Sequence, residues 1–316
     1  MAEAFARLPA VEYAKPRIEH YFEYLVLRVT AFFVRWLPRA LALFCLRRIA
    51  DLARVMLKRR NRQTLDTIRA RLSPPPPDPL VGRILKGSYY LLAENFAYQV
   101  RKRDFHKYIL PRARIKGLEH LEEARLQGKG IVVATMHTGC WECGGDLAEH
   151  LGFYSAVIVA VQHNPLCDRF FNDRRSASLL RPLHNRLAVR HGLKFLKQGG
   201  LIYVLADVDI GERGIFVPFL GKAASTPAGP AELALRSGAV LIVGAIFRDD
   251  DDCFNFSFSA PLSPGGEGLD HNQRVLYLST QMDERYSEVI RKHPEQWFWL
   301  QRRWKTPAPE NPSPVL

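Results

Sequence analysis

Short apolar runs alternate with stretches of helical spacing in the second half of the sequence, and this alternation restricts the possible folds more than any other feature. Runs near residues 131–135, 155–161, 201–206 and 240–247 have the length of buried strands. The stretch CFNFSFS, which begins at Cys253, alternates with a period of two. The pattern predicts an α/β fold with a mostly parallel central sheet flanked by helices, whose ligands bind at the carboxyl ends of the strands.

One helix in this region carries its own boundary signals. Thr226 is the expected N-cap, Pro227 the expected first-turn residue, and Gly238 the expected end. The sequence therefore predicts a helix between these positions.

The positive charge of the chain is concentrated near its amino terminus. The net charge is +13, and residues 1–60 hold 12 Lys or Arg against 5 Asp or Glu. Such an excess of positive charge favours an anionic partner. The candidates are nucleic acid, an anionic membrane surface and an acidic carrier.

The most apolar stretch, residues 21–50, is interrupted by Arg28, Arg35, Pro38 and Arg39. It lacks the roughly 18 uninterrupted apolar residues of a spanning helix. Arginines among aromatic residues suit a helix in the headgroup region of a membrane, and the basic bias places it on the cytoplasmic face. One alternative is an amphipathic helix packed on a soluble domain. Another is a nucleic-acid-binding helix, which needs fewer apolar side chains.

These features predict four regions. Residues 1–72 form a basic, aromatic-rich, membrane-associated helical segment, and residues 73–80 form a proline-rich linker. Residues 81–306 form the α/β domain, and residues 307–316 form a disordered tail. Five scattered cysteines without a preceding cleavable signal indicate a reducing compartment.

The segment MHTGCWECGG, from Met136, contains a histidine and a carboxylate that can cooperate. On one continuous helix His137 and Glu142 would point apart, so the prediction is a turn after Thr135 and a helix from about Cys140. Glu142 would then lie in the first helical turn and accept a hydrogen bond from the imidazole. A carboxylate bound to one ring nitrogen makes the other a better base, which can activate a substrate hydroxyl.

Three other interpretations of this segment stay open at this point. Cys140 and Cys143 have the spacing of a redox pair at a helix start. With His137 they offer three zinc ligands, although a structural zinc site needs a fourth. Alternatively, the histidine and both cysteines are buried structural residues.

The sequence resembles the late acyltransferases of lipid A biosynthesis (lauroyl and myristoyl acyltransferases), within the glycerolipid acyltransferase superfamily. The resemblance rests on MHTGCWE, HNPLCDRFFNDRR, HPEQWFWLQRRWK and the long stretch from Leu205 to Arg248. It implies acyl transfer from a thioester, acyl carrier protein or acyl-CoA, to a hydroxyl of a glycolipid such as a lipid A precursor. It further implies no metal, no cofactor, no nucleic acid and no covalent enzyme intermediate, at the cytoplasmic face of the bacterial inner membrane.

The resemblance also implies roles for individual residues. His137 is the expected general base and Glu142 its orienting partner. Backbone N–H groups near Gly139 are candidates to bind the oxyanion. Arg174 and Arg175 are candidates to contact phosphates of the acceptor or carrier, and the alternative for both is a solvated helix face.

Four further residues are expected to contact substrates. Asp207 follows a predicted strand and is expected to support Arg213 or to bind sugar hydroxyls. Phe216 and Phe219 occupy alternate positions and are expected to line the acyl channel, although a plain core strand explains them equally well.

The sequence departs from the family pattern at two places. Val208 stands where glutamine is common, and Gln162 and His163 stand where tyrosine and arginine are common, so that a phosphate-binding arginine is absent or moved to Arg169. A different acceptor, such as a phosphoinositide mannoside or an aminolipid, is therefore the alternative. An inert basic protein that binds lipid or nucleic acid is the alternative of another class.

Overall fold

The computed structural model describes residues 1–249 and 253–309, apart from the side chains of residues 185–188. The helices in this part of the chain are α1 Ala2–Ala6, α2 Ile18–Trp36, α3 Arg39–Met56, α4 Lys58–Arg71, α5 Asp78–Val100, α6 Leu118–Leu126, α7 Gly144–His150, α8 Pro165–Arg175, α9 Asn185–Lys197, α10 Gly229–Ser237 and α11 His271–Lys292. The strands are β1 Ala113–Lys116, β2 Ile131–Thr135, β3 Ser155–Val159, β4 Leu180–His184, β5 Leu201–Leu205, β6 Ile215–Phe219, β7 Lys222–Thr226, β8 Val240–Arg248 and β9 Phe254–Phe258.

Seven of these strands form the central sheet, in the order β1-β9-β8-β2-β5-β3-β4, and every neighbouring pair except β8 and β9 is parallel. Strands β6 and β7 form a separate antiparallel hairpin. The predicted α/β fold with a mostly parallel sheet is confirmed, because helices follow the strands and cover both faces of the sheet.

Alternation along β2 assigns its side chains to two cores. Val132 and Ala134 face the core that contains α5, α10 and α11, whereas Ile131 and Val133 face the core that contains α6 and α7. All five residues of β2 are buried, as expected for a central parallel strand.

The amino-terminal helices α2 and α3 pack with α5 and α8 in a third, smaller core. Their outer faces expose many large apolar side chains, among them Phe22, Phe32 and Trp36. Within the described ranges, no helix combines the length and the apolar character needed to cross a bilayer.

The helix predicted between Thr226 and Gly238 begins later than expected. Thr226 is the last residue of β7, and the first turn of α10 contains Pro230 instead of Pro227. The predicted end is confirmed, because Gly238 has a φ of +74° that suits glycine at a helix terminus. Helix α5 begins at Asp78, within the predicted linker, and residues 310–316 of the predicted tail lie outside the described residues.

Candidate active site

The register of two parallel strands brings a histidine and an aspartate together. Thr135 of β2 pairs with Leu205 of β5, and each strand is followed two residues later by a polar residue, His137 and Asp207. Because carboxyl ends of parallel strands meet at one edge of a sheet, both side chains lie at the same point of that edge.

A direct hydrogen bond joins the two residues. Nδ1 of His137 lies 2.7 Å from Oδ1 of Asp207, and the backbone N–H of His137 donates to Oδ2 at 2.9 Å. Asp207 is fully buried, whereas the His137 side chain is 24% exposed. A carboxylate at Nδ1 fixes the proton there and leaves the lone pair of Nε2 free to act as a base.

Two residues near the end of the described chain also bind Asp207. Its Oδ2 atom accepts hydrogen bonds from Nε1 of Trp297 at 2.8 Å and from Nε2 of Gln301 at 2.9 Å. Burial opposes ionisation of Asp207, but the charge of His137 and these hydrogen bonds lower its pKa to about 2. Burial would lower the pKa of His137, and Asp207, with a smaller contribution from Glu142, raises it above the ordinary 6.5 instead.

The loop that carries His137 is held by the segment around Trp297. The carbonyl of His137 accepts from the N–H of Phe298 at 3.0 Å, and Thr138 pairs with Trp297 as an antiparallel bridge. The N–H of Gly139 donates to the carbonyl of Gln296 at 2.9 Å. That amide is therefore already bonded, and the expected role of Gly139 as an oxyanion donor does not agree with the structure.

Gly139 is required at its position for a different reason. Its φ is +50°, and a Cβ atom there would lie 2.4 Å from the carbonyl oxygen of Ile246. Asn95 of α5 donates to the carbonyl of Gly139 at 2.8 Å and accepts from the N–H of Glu142 at 3.3 Å. The side chain of Asn95 thus binds the turn between His137 and Glu142 at two points, Gly139 and Glu142.

The structure gives Glu142 a different partner from the expected one. Its carboxylate accepts two hydrogen bonds from Arg175, at 3.0 Å from Nε and 2.6 Å from Nη2, and one from Gln99. Burial disfavours the ionised Glu142, but Arg175 lowers the pKa of the carboxyl overall. Glu142 lies in a 3₁₀ turn, Trp141–Cys143, that directs it towards α5 and α8, so Asp207 and not Glu142 holds the imidazole.

The two predicted phosphate ligands are also already engaged. Arg175 is committed to Glu142 and to Oδ1 of Asn172. Arg174 donates to the carbonyl of Phe170, and its guanidinium lies 3.3 Å from the centre of the Phe170 ring. Arg175 is largely buried and contributes to the wall beside His137, whereas Arg174 is partly exposed on α8.

An apolar cavity of about 320 Å³ opens beside His137. It lies on the face of the sheet that also carries α6 and α7. The side chains and glycines that line its interior include Val133, Gly144, Leu147, Val157, Leu180, Tyr203, Ile246, Phe256 and Phe258. His137, Trp141, Glu142, Gln162 and Arg175 supply its polar and aromatic part. The volume falls in the range of small-molecule sites.

Phe216 and Phe219 are not among the residues that line this cavity. They belong to the β6–β7 hairpin, where Phe219 is fully buried against Trp297 and Trp304. The expected acyl-channel role is therefore replaced by core packing. Arg213 is exposed in a 3₁₀ turn, and Asp207 is too buried to offer an oxygen to a sugar, so neither expected role of Asp207 agrees with the structure.

A buried ion pair lies close to Asp207, since Nη1 of Arg303 donates to the carbonyl of the next residue, Val208, at 3.4 Å. Nη2 of Arg303 lies 2.9 Å from Oδ2 of Asp283, and both side chains are fully buried. Arg303 also donates to the carbonyl of Ser225 and to Oγ1 of Thr226, which in turn donates to Asp283. Thr226, expected as a helix cap, is instead part of this network.

Two groups of side chains have the composition of a metal site. The ligand atoms of Glu19, His20 and His163 lie within 4.8 Å of one another. Nδ1 of His20 accepts from the N–H of Arg17 at 3.0 Å, so a neutral ring carries its proton on Nε2 and offers no lone pair to a cation. Cys140 and Cys143 are free thiols with sulfur atoms 2.6 Å apart, and Nδ1 of His137 is occupied by Asp207.

The fold and the site together define an α/β protein with a histidine hydrogen-bonded to a buried aspartate and an apolar cavity beside them. The sequence matches the bacterial lipid A biosynthesis acyltransferase family over residues 12–306, and the chain belongs to this family.

The chain is also similar to individual proteins of known name, at 27–29% identity. The chain is 27% identical to a phosphatidylinositol mannoside acyltransferase of Mycobacterium tuberculosis over 199 residues, which is 60% of this chain and 59% of the relative. It is 27% identical to the lipid A biosynthesis palmitoleoyltransferase of Escherichia coli over 61% of each chain. It is 29% identical to the lipid A biosynthesis lauroyltransferase of the same organism over 62% of this chain and 63% of the relative. The matched stretch spans about three fifths of these relatives.

Proposed function

We propose that the chain transfers a fatty acyl group from a thioester donor to a hydroxyl group of a glycolipid. The observation that carries the proposal is the His137–Asp207 hydrogen bond at the mouth of an apolar cavity. Family membership supports the same reaction class. The names of the relatives refer to lipid A biosynthesis and to phosphatidylinositol mannoside, and both of these lipids are glycolipids.

In this proposal Nε2 of His137 removes the proton of the acceptor hydroxyl as the oxygen attacks the thioester carbonyl. The tetrahedral intermediate collapses, the carbon–sulfur bond breaks, and the imidazolium returns its proton to the leaving thiolate. Asp207 stabilises the imidazolium and holds the tautomer. General-base catalysis of this kind contributes about 10²- to 10⁴-fold to the rate.

The cavity is proposed to hold the acyl chain of the donor. It is enclosed by aliphatic and aromatic residues of the sheet and of α7, and it has space beside the proposed base. An acyl chain buried there gains about 0.8 kcal/mol for each methylene group removed from water. The donor is acyl carrier protein or acyl-CoA, and no metal or cofactor takes part in the proposed step.

The outer face of α2 and α3 is proposed to lie on an anionic membrane surface. Phe22 and Trp36 are each 72% exposed there, and Arg28 lies on the same helix. Apolar side chains beside arginines suit the headgroup region of a bilayer. The proposed location is the cytoplasmic face of the bacterial inner membrane, where the glycolipid acceptor is embedded.

The test is acyl transfer by His137→Ala. Purified protein is incubated with an acyl thioester and a lipid A precursor or a phosphatidylinositol mannoside, and the lipids are analysed by mass spectrometry. The expected result is loss of transfer with unchanged vesicle binding. An inert lipid- or nucleic-acid-binding protein would behave identically with and without the histidine, and equal product from both proteins would therefore refute the proposal.

A further inference from the structure

A second apolar compartment lies on the other side of the site, between α3, α4 and α5. This groove has a volume of about 330 Å³ and is open to the surface. Its walls include Ile49, Ala53, Leu57, Leu92, Phe96 and Phe298. Ile49 is 58% exposed and Leu92 is 43% exposed, so the rim of the groove is continuous with the exposed apolar face of α3.

A smaller polar pocket of about 190 Å³ adjoins the groove and shares Arg60 and Leu300 with it. Its lining includes four cationic residues, Arg60, Arg302, Arg303 and Lys305, and none of the described residues that line it is acidic. Arg303 is paired with Asp283, and Lys305 lies 3.8 Å from Asp209. Nη2 of Arg60 donates to the carbonyl of Leu300 at 2.7 Å, and neither Arg60 nor Arg302 forms an ion pair with a carboxylate within the described residues, so both charges are uncompensated.

Both compartments border the residues that hold the proposed base. Phe298, at the inner end of the groove, donates its N–H to the carbonyl of His137, and the two rings lie 6.4 Å apart. Gln301, which lines the polar pocket, donates to Asp207. The ring of Phe298, which lines the groove, lies 6.3 Å from the ring of Trp141, which lines the donor cavity.

We propose that the groove and the cationic pocket bind one phosphate-bearing lipid, the acceptor, with an acyl chain in the groove and a phosphate beside Arg60 and Arg302. The inference rests on the proposed function and assigns a place to its second substrate. The charge of the pocket matches a phosphate, and the apolar groove beside it matches a chain of the same molecule. An acceptor held there is anchored beside Phe298 while its hydroxyl approaches His137.

The test uses dihexanoyl phosphatidic acid below its micellar concentration as the probe, with binding measured by titration calorimetry in the absence of any thioester. Ile49→Gln removes an apolar wall of the groove, and Leu52→Gln is the matched control because Leu52 is similarly exposed on the same helix but does not line the groove. The expected result is a loss of about tenfold in affinity for Ile49→Gln and less than about twofold for Leu52→Gln.

Two further variants test the filling of the groove and the charge of the pocket. Ala53→Phe fills the groove, and Ala40→Phe places the same side chain at an exposed position of α3 outside it. Arg302→Gln is expected to weaken binding roughly two- to fivefold, whereas Arg291→Gln, on exposed α11 surface, leaves it unchanged. Thermal unfolding of each variant checks that it is folded.

The outcomes separate this inference from the proposed function. Equal binding by wild type, Ile49→Gln and Ala53→Phe would overturn the inference, as would no binding by wild type. His137→Ala is expected to bind the probe like wild type. If binding depends on the groove but no acyl transfer is found, the result would support the lipid site and refute the proposed function.

Discussion

His137 and Asp207 are 70 positions apart in the sequence, yet Nδ1 of one lies 2.7 Å from Oδ1 of the other. The pairing follows from strand register, because Thr135 and Leu205 are opposite each other at the ends of β2 and β5. Asp207 also accepts hydrogen bonds from the backbone N–H of His137, from Trp297 and from Gln301, so its carboxylate cannot rotate away without losing these three donors.

Asp207→Asn is expected to lower the rate of acyl transfer by about 10²- to 10⁴-fold, because the amide no longer stabilises the imidazolium or fixes the tautomer. The measurement is the initial rate at saturating thioester. Asp209→Asn is the control, since Asp209 binds Gly211 and Thr306 and has no contact with His137 among the described residues. Equal losses in both variants would contradict the assignment.

The rate of transfer is expected to rise with pH, because only the neutral imidazole accepts a proton. Asp207 raises the pKa of His137, so the midpoint of this rise lies above 6.5. Glu142 contributes to the same shift, and Glu142→Gln is expected to move the midpoint to lower pH. The pH profile of kcat/KM for wild type and variant checks this, and an unchanged or higher midpoint in Glu142→Gln would count against it.

Arg303→Met is expected to destabilise the fold by about 3–5 kcal/mol, because it leaves Asp283 buried without its partner. Replacing both residues, in Arg303→Met with Asp283→Leu, is expected to recover part of this loss since neither charge of the pair remains buried. Urea unfolding gives the free energies. A double variant less stable than the single one would show that the ion pair itself is not the origin of the effect.

Gly144→Val is expected to shift the preferred donor towards shorter chains. A Cβ atom on Gly144 would face Tyr203 at 3.6 Å and Ile246 at 3.9 Å, so a larger side chain occupies the cavity. Each methylene group excluded from the cavity costs about 0.8 kcal/mol, or about fourfold in relative kcat/KM. Competition between thioesters of different length measures the shift. Gly229→Val, where the added side chain meets open space, is the control and should leave the preference unchanged.

Phe32→Glu is expected to weaken binding to anionic vesicles by about tenfold, because Phe32 is 58% exposed on the apolar face of α2. Leu126→Glu is the matched control, since Leu126 is 86% exposed at the end of α6 and lies outside that face. Vesicle sedimentation measures both. Equal effects would indicate that any added negative charge reduces binding and that α2 is not the contact.

The strands were predictable from the sequence because buried parallel strands are nearly continuous apolar runs. The prediction for residues 131–135 matches β2, and the four other predicted strands are confirmed within two residues at each end. The sequence likewise predicted that His137 lies just past the end of a strand. The sequence also placed Asp207 past a strand end, but it did not reveal that β2 and β5 are neighbours in register, which decides the partner of the imidazole.

Other side-chain roles depend on tertiary packing, which no local sequence pattern predicts. Glu142 was expected beside His137, but the bidentate Arg175 competes for the same carboxylate and binds it more directly. Phe219 was expected in a channel, and the hairpin that carries it packs on Trp297 instead. Trp297 and Gln301 were contained in the recognised motif, yet only the tertiary structure connects them to Asp207.

The antiparallel pairing of Thr138 with Trp297 has a consequence for synthesis of the protein. The loop around His137 receives its last backbone partners, from Gln296 and Phe298, about 160 positions later in the chain. A ribosome-bound chain that has emerged only as far as the last strand of the sheet therefore still lacks the segment around Trp297, which holds the loop of His137. The site is therefore completed only after residues 296–298 have emerged, when helices α2 and α3, the proposed membrane-facing segment, have already left the ribosome.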